Sequence, residues 1–278
     1  MDREMGYLQA GYGLNGEGYI VSDVSMDKIA DAYFPCIHES VKSLLKLFPS
    51  QLHSVYVYGS VARGDAVVVM SDLDLLVIFK DTLSAEELAA VKTFASELSR
   101  KYDSLVREVG IAVGEYDYVV NPANYYEQAF LSELCVCVHG EDLRERFGPY
   151  RLTSEIAISF NGDIDQVLAR TMKRLEAASI DECKTITQNF ARKLIRTCYS
   201  MVMARSQIWT TRLHEQADVF IYHFPHKELM IRTLQKWIKM PPANQESVLE
   251  LFKSEGMWVA ENFEHEAQSK RMRPRSST

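Results

Sequence analysis

Apolar residues along the chain follow two different periods, and the change falls near residue 150. Up to that point short β-rich runs alternate with helical stretches. The first helix is expected from about Ser25, with Asp27 in its first turn, through Ile29, Tyr33, Val41, Leu44, Leu45 and Leu47 to Pro49. Strands are expected at Ser54–Tyr58, Leu73–Phe79, Glu115–Val120 and Leu134–Val138. A short helical stretch follows Gly59-Ser60, Ser84 with Glu87 forms a capping box for a helix to about Tyr102, and Pro122 leads into another helix. Beyond residue 150, residues 163–179, 185–206, 212–223, 226–240 and 243–265 all carry helical spacing, punctuated by Pro225 and Pro241-Pro242. The pattern predicts an α+β chain: a small mixed sheet with flanking helices over 25–150, then an all-helical bundle over 151–269. Residues 1–24 read as a Gly- and Tyr-rich N-terminal extension, and 270–278 as a basic tail.

Charge sharpens this division. The 278 residues carry a formal charge of −7, but residues 1–150 hold 12 basic and 23 acidic side chains, a net −11. Residues 151–269 hold 15 of each, and the last nine residues hold four basic and no acidic ones. Such a balance argues against a partner bound by bulk positive charge, such as nucleic acid, and suits a small or cationic one. The hydrophobic fraction of 47% is ample for real cores. Five scattered cysteines with no secretory leader point to a reduced, cytoplasmic protein. No apolar run approaches the roughly 20 residues of a membrane helix. Two literal motifs are set aside. Cys135-Val136-Cys137 reads as alternating strand residues, and Gly11-Tyr12-Gly13-Leu14-Asn15-Gly16 lacks the preceding strand and following helix of a dinucleotide fingerprint.

Chemistry concentrates in Val57-Tyr58-Gly59-Ser60-Val61-Ala62-Arg63-Gly64 and Ser71-Asp72-Leu73-Asp74-Leu75-Leu76-Val77. Asp72 and Asp74 are two apart on a strand, so both carboxylates take one face while Leu73, Leu75 and Val77 take the core face. Two carboxylates so close repel unless a cation sits between them. Hard oxygen donors with open positions suit Mg²⁺ bound together with phosphate oxygens. Gly59 lets the backbone approach a ligand, the Ser60 hydroxyl and nearby amides suit phosphate oxygens, and Arg63 follows one helical turn later.

These residues resemble the nucleotidyltransferase superfamily related to DNA polymerase β, whose pattern of G-S, a later Gly and S-D-x-D-L is similar to Gly59-Ser60, Gly64 and Ser71-Asp72-Leu73-Asp74-Leu75. The resemblance implies attack by an acceptor group on the α-phosphorus of a nucleoside triphosphate, usually ATP, with pyrophosphate leaving and the two aspartates holding Mg²⁺. It also implies Gly59, Ser60, Arg63 and Ser71 around the nucleotide. A third carboxylate is expected on a neighbouring strand. Asp117 and Glu115 are the candidates by alternation, with Asp117 preferred as general base, metal ligand or both, and Glu108 lies further off.

The second half narrows the resemblance. Asn189, Arg192 or Lys193, and Arg196 share a polar stripe of one helix, with Tyr199-Ser200 after them. This spacing is similar to that of the streptomycin/spectinomycin adenylyltransferases, which implies Arg192 and Arg196 near the nucleotide and a small, cationic hydroxyl acceptor. Departures are visible. Ile186 stands where those enzymes carry an acidic residue facing the drug, Arg212 is only a loose match to their loop lysine, and the Gly-rich N-terminus has no counterpart. A protein or tRNA acceptor, or a non-catalytic nucleotide-binding role, are the alternatives.

Overall fold

The computed structural model describes residues 6–269, so the basic tail at 270–278 lies outside the described residues. The chain forms two compact units, Val21–Tyr150 and Met1–Ile20 with Arg151–Thr278.

The first unit is built on β1 (Leu52–Tyr58), β2 (Leu73–Phe79), β3 (Val109–Glu115) and β4 (Cys135–Gly140), in the spatial order β3-β2-β1-β4. β1 pairs antiparallel with both β2 and β4, while β2 and β3 run parallel. Helices α1 (Phe34–Leu47), α2 (Gly59–Arg63), α3 (Ala85–Lys101), α4 (Tyr116–Val120) and α5 (Tyr125–Leu134) connect and flank the strands. Alternation decides which side chains are buried where. Leu73, Leu75, Val77 and Phe79 of β2 join Val55 and Val57 of β1 in a core closed by Ile37 and Leu44 of α1 and Val91 and Leu98 of α3. The opposite face is sealed by Tyr56, Ile78, Leu131, Cys135 and Leu143. The expected capping box is present, with Ser84 and Glu87 bonded reciprocally at the start of α3.

Two expectations need correction. The first helix begins at Phe34 rather than near Ser25, and single turns at Met26–Lys28 and Asp31–Tyr33 precede it. Pro35 explains the start: it sits in the first helical turn, where its missing N–H is no loss, but it could not continue a helix already under way. The third strand is Val109–Glu115, and Tyr116–Val120 is helical. The β-branched and aromatic run after Glu115 favours a strand by propensity. However, β2 ends at Phe79, which pairs with Glu115, so residues beyond have no ladder to join.

In the second unit α6 (Ser154–Asn161) and α7 (Ile164–Glu176) lead into the long α8 (Ile180–Ser206), followed by α9 (Leu213–His223), α10 (Glu228–Lys239) and α11 (Gln245–Gln268). A second capping box, Ser179 with Glu182, opens α8. α8 is central to this unit: Phe190, Leu194, Ile195, Cys198 and Val202 are all buried. The N-terminal stretch belongs to this unit. Gly11 N donates to Gln207 O at 2.7 Å and Trp209 N to Tyr12 O at 2.9 Å. Gly13 has φ +71, and a Cβ there would lie 2.2 Å from Trp209 O, so its glycine serves chain-to-chain approach and not a dinucleotide. Tyr7 and Thr210 both donate to the buried Glu215, which fastens the stretch further.

Candidate active site

The end of β2 where the chain enters the strand gathers most of the sheet unit's candidate residues. Tyr58, the last residue of β1, pairs with Asp74, so the turn into α2 starts directly beside that aspartate. Gly59 adopts φ +74, and a Cβ on it would meet Asp74 Oδ2 at 2.6 Å. Only a glycine lets the backbone turn this way with the carboxylate pressed against it. On the other side Asp74 pairs with Gly110 of β3, where a Cβ would come to 3.2 Å from Asp74 Oδ1. Two glycines thus leave clearance around a half-buried carboxylate.

Asp72, two residues earlier, takes the same face by alternation. Its carboxylate accepts from Arg107, Nε to Oδ1 at 2.9 Å and Nη2 to Oδ2 at 2.5 Å. Ser71 braces the preceding loop: its Oγ accepts from Val67 N at 2.9 Å and its N donates to Val67 O at 2.8 Å. Ser60 lies in the first turn of α2, half-buried, and its carbonyl accepts from Asp65 N at 3.1 Å. Arg63 closes α2 and pairs with Asp65 at 3.1 Å.

The third carboxylate is where the structure departs most from expectation. Asp117 lies in the first turn of α4, exposed, so the strand alternation that favoured it does not apply. Glu115 pairs with Phe79 at the far end of β2 and accepts from Thr82 Oγ1. From Gly110, beside Asp74, to Glu115 the strand advances five residues, about 16 Å at the usual rise. Both acids thus lie well along the strand from Gly110, whereas the backbone of Glu108 lies beside Leu73. Leu73 N donates to Glu108 O and Arg107 N to Ser71 O, which carries the parallel β2–β3 pairing back past Val109. Glu108 then stands opposite Asp72, exposed and on the face of Gly110. Arg107 was not foreseen at all. Its signal was present as Arg107-Glu108 ahead of an apolar alternation at Val109, Ile111 and Val113, legible only once β3 is placed there.

The neighbouring donors on this edge are Asp72 and Asp74, both hard oxygen ligands, with Glu108 exposed close by along the chain pairing. Among the described residues no group of three His, Cys, Asp or Glu side chains is arranged to hold a metal by itself. Two neighbouring carboxylates fit Mg²⁺, which commonly takes its remaining ligands from phosphate and water. In the helical unit Arg196 of α8 is exposed, and Arg192 Nη1 donates to Asn189 Oδ1 at 3.3 Å. The neighbouring Lys193 pairs with Asp163 at 2.7 Å. No helix among the described residues is long and apolar enough to cross a membrane.

Comparison with known proteins agrees with this geometry. Residues 37–124, which contain Gly59, Ser60, Asp72, Asp74 and Glu108, match the family described as nucleotidyltransferase domain. No curated protein matches the chain. Among solved structures the chain is similar in fold to the spectinomycin adenyltransferase AAD(9) from Enterococcus faecialis, crystallised with ATP and spectinomycin. The TM-score is 0.51 at 13% identity, over 85% of this chain and 99% of that one. The matched segment contains the aspartate-bearing strand, so residues 37–124 match a nucleotidyltransferase domain, and the wider fold is similar to that of an adenyltransferase.

Proposed function

We propose that this enzyme transfers AMP from ATP to a hydroxyl of a small, cationic acceptor, an aminoglycoside being the leading class, in a Mg²⁺-dependent reaction. The observation that carries the proposal is Asp74 in β2 with Gly59-Ser60 turning directly beside it, and Asp72 immediately ahead of that strand. The acceptor class rests on the fold shared with a spectinomycin enzyme and on the acidic first 150 residues, which suit a cation.

Asp72 and Asp74 would hold the ion, which when bound neutralises phosphate charge and fixes the reacting group. Ser60, through its hydroxyl and the amides of the turn, would take phosphate oxygens. Glu108 replaces Asp117 as the proposed general base and would accept the proton of the acceptor hydroxyl. The hydroxyl oxygen forms a bond to the α-phosphorus as the bond from that phosphorus to the bridging oxygen breaks, and pyrophosphate leaves with the electron pair. Arg63, Arg192 and Arg196 are the proposed cations for the triphosphate, and Ser71 positions the loop before Asp72. Placement and charge compensation supply most of the acceleration.

A pyrophosphate-release assay with ATP and Mg²⁺ against a panel of aminoglycosides, spectinomycin and streptomycin included, tests the reading. Acceptor-dependent release that needs Mg²⁺ is expected. Release with no acceptor in the panel, but labelling of protein or tRNA by ATP, moves the acceptor to a macromolecule. Nucleotide binding without any transfer overturns the proposal.

A further inference from the structure

Both oxygens of Asp72 are already engaged by a cation belonging to the chain itself. Arg107 grips them with Nε and Nη2 at 2.9 and 2.5 Å. The grip is fixed by the main chain, because Arg107 N donates to Ser71 O at 3.0 Å and Leu73 N to Glu108 O at 2.9 Å. These bonds hold residues 71–73 beside 107–108. The pair is only partly exposed, 26% for Asp72 and 32% for Arg107, so solvent screens it incompletely. A guanidinium that bonds both oxygens of one carboxylate uses the lone pairs on its outer edge. A divalent ion shared by Asp72 and Asp74 would need oxygens of the same carboxylate.

We propose that Arg107 is an internal counter-ion that competes with Mg²⁺ for Asp72, so that the ion binds only as the guanidinium is displaced. This rests on the metal-binding role proposed above for the two aspartates. A triphosphate brings acceptor oxygens that can receive the displaced guanidinium. The consequence is coupling: the ion alone binds weakly, the ion with nucleotide binds well, and the aspartate pair is kept neutralised in between. Arg107 is in this sense a positioning residue that ties metal entry to substrate entry.

Binding of Mn²⁺, followed by electron paramagnetic resonance without and with a non-hydrolysable ATP analogue, tests this without any turnover. Without nucleotide, Arg107→Ala is expected to bind Mn²⁺ on the order of tenfold more tightly than the unaltered enzyme, as removal of a competing ion pair of ordinary strength predicts. The gain from adding the analogue should shrink in the same variant. Arg107→Lys, which keeps the charge but loses the fork, should fall between the two. Equal or weaker Mn²⁺ binding by Arg107→Ala overturns the competition while leaving the metal reading intact. Failure of the unaltered enzyme to bind Mn²⁺ even with the analogue overturns both. Asp74→Asn serves as the control that the ion seen is the one at this site, and persistence of its signal there also overturns the assignment.

Discussion

The two ends of the β2–β3 pair use the same kind of residue for different ends. At one end Asp72 and Asp74 lie beside the backbone of Glu108, with glycines at 59 and 110 clearing space and Arg107 compensating charge. At the other end Glu115 meets Thr82, and Asp117 sits exposed on the first turn of α4. Acids at both ends follow apolar alternation and would be indistinguishable by composition. What separates them is direction. In a parallel pair both strands enter at the same end, so residues just before and at the start of each strand share one edge. Chemistry that needs several carboxylates can be assembled there from short sequence segments, whereas the far edge offers one acid at a time.

The comparison can be broken most directly at Asp74. Asp74→Asn is expected to lower turnover roughly 10³-fold with the fold retained by circular dichroism. Near-normal turnover would mean that the glycine-lined end is not the reactive one. Glu108→Gln should cost about 10²-fold in kcat with nucleotide binding retained. Near-normal kcat would return the third carboxylate to the open question it was in the sequence.

A buried acid sharpens the contrast. Glu133, at the end of α5, is 8% exposed, and burial pushes its carboxyl up to about 7. Between its ordinary value of 4.5 and about 7, the folded chain keeps a proton that the unfolded chain has lost. Stability should therefore fall as pH rises through that window, by about 1–3 kcal/mol, and level off above it. Thermal melts across pH should show this slope, and Glu133→Gln should flatten it. The smallest effect is expected at the far end of the pair. Asp117→Asn should leave both turnover and melting temperature within the small range of an exposed surface change. A loss of turnover comparable to that of Glu108→Gln would invert the comparison.

Much of this was written in the order of residue types. Strand alternation alone put Asp72 and Asp74 on one face, and Gly59-Ser60 announced a turn that a phosphate can approach. The capping box at Ser84 and Glu87 marked the start of α3, and the change of period near residue 150 marked the helical part. These are local matters, decided by covalent geometry and by side chains a few positions apart. The third strand was not local. Tyr116–Val120 has the better strand composition, yet Val109–Glu115, with two glycines, is the strand, because β2 offers hydrogen-bonding partners only as far as Glu115. That choice put Asp117 on a helix, set the backbone of Glu108 beside Leu73 and placed Arg107 on Asp72. Likewise, nothing in Gly11-Tyr12-Gly13 foretold that Gly11 and Tyr12 would bond to Gln207 and Trp209. The sequence by itself determined which residues could do the chemistry and where one strand would present them. Only the tertiary structure decided which segment runs beside them and which cation, Arg107, grips Asp72, because backbone pairing between distant segments, not local preference, sets what faces what.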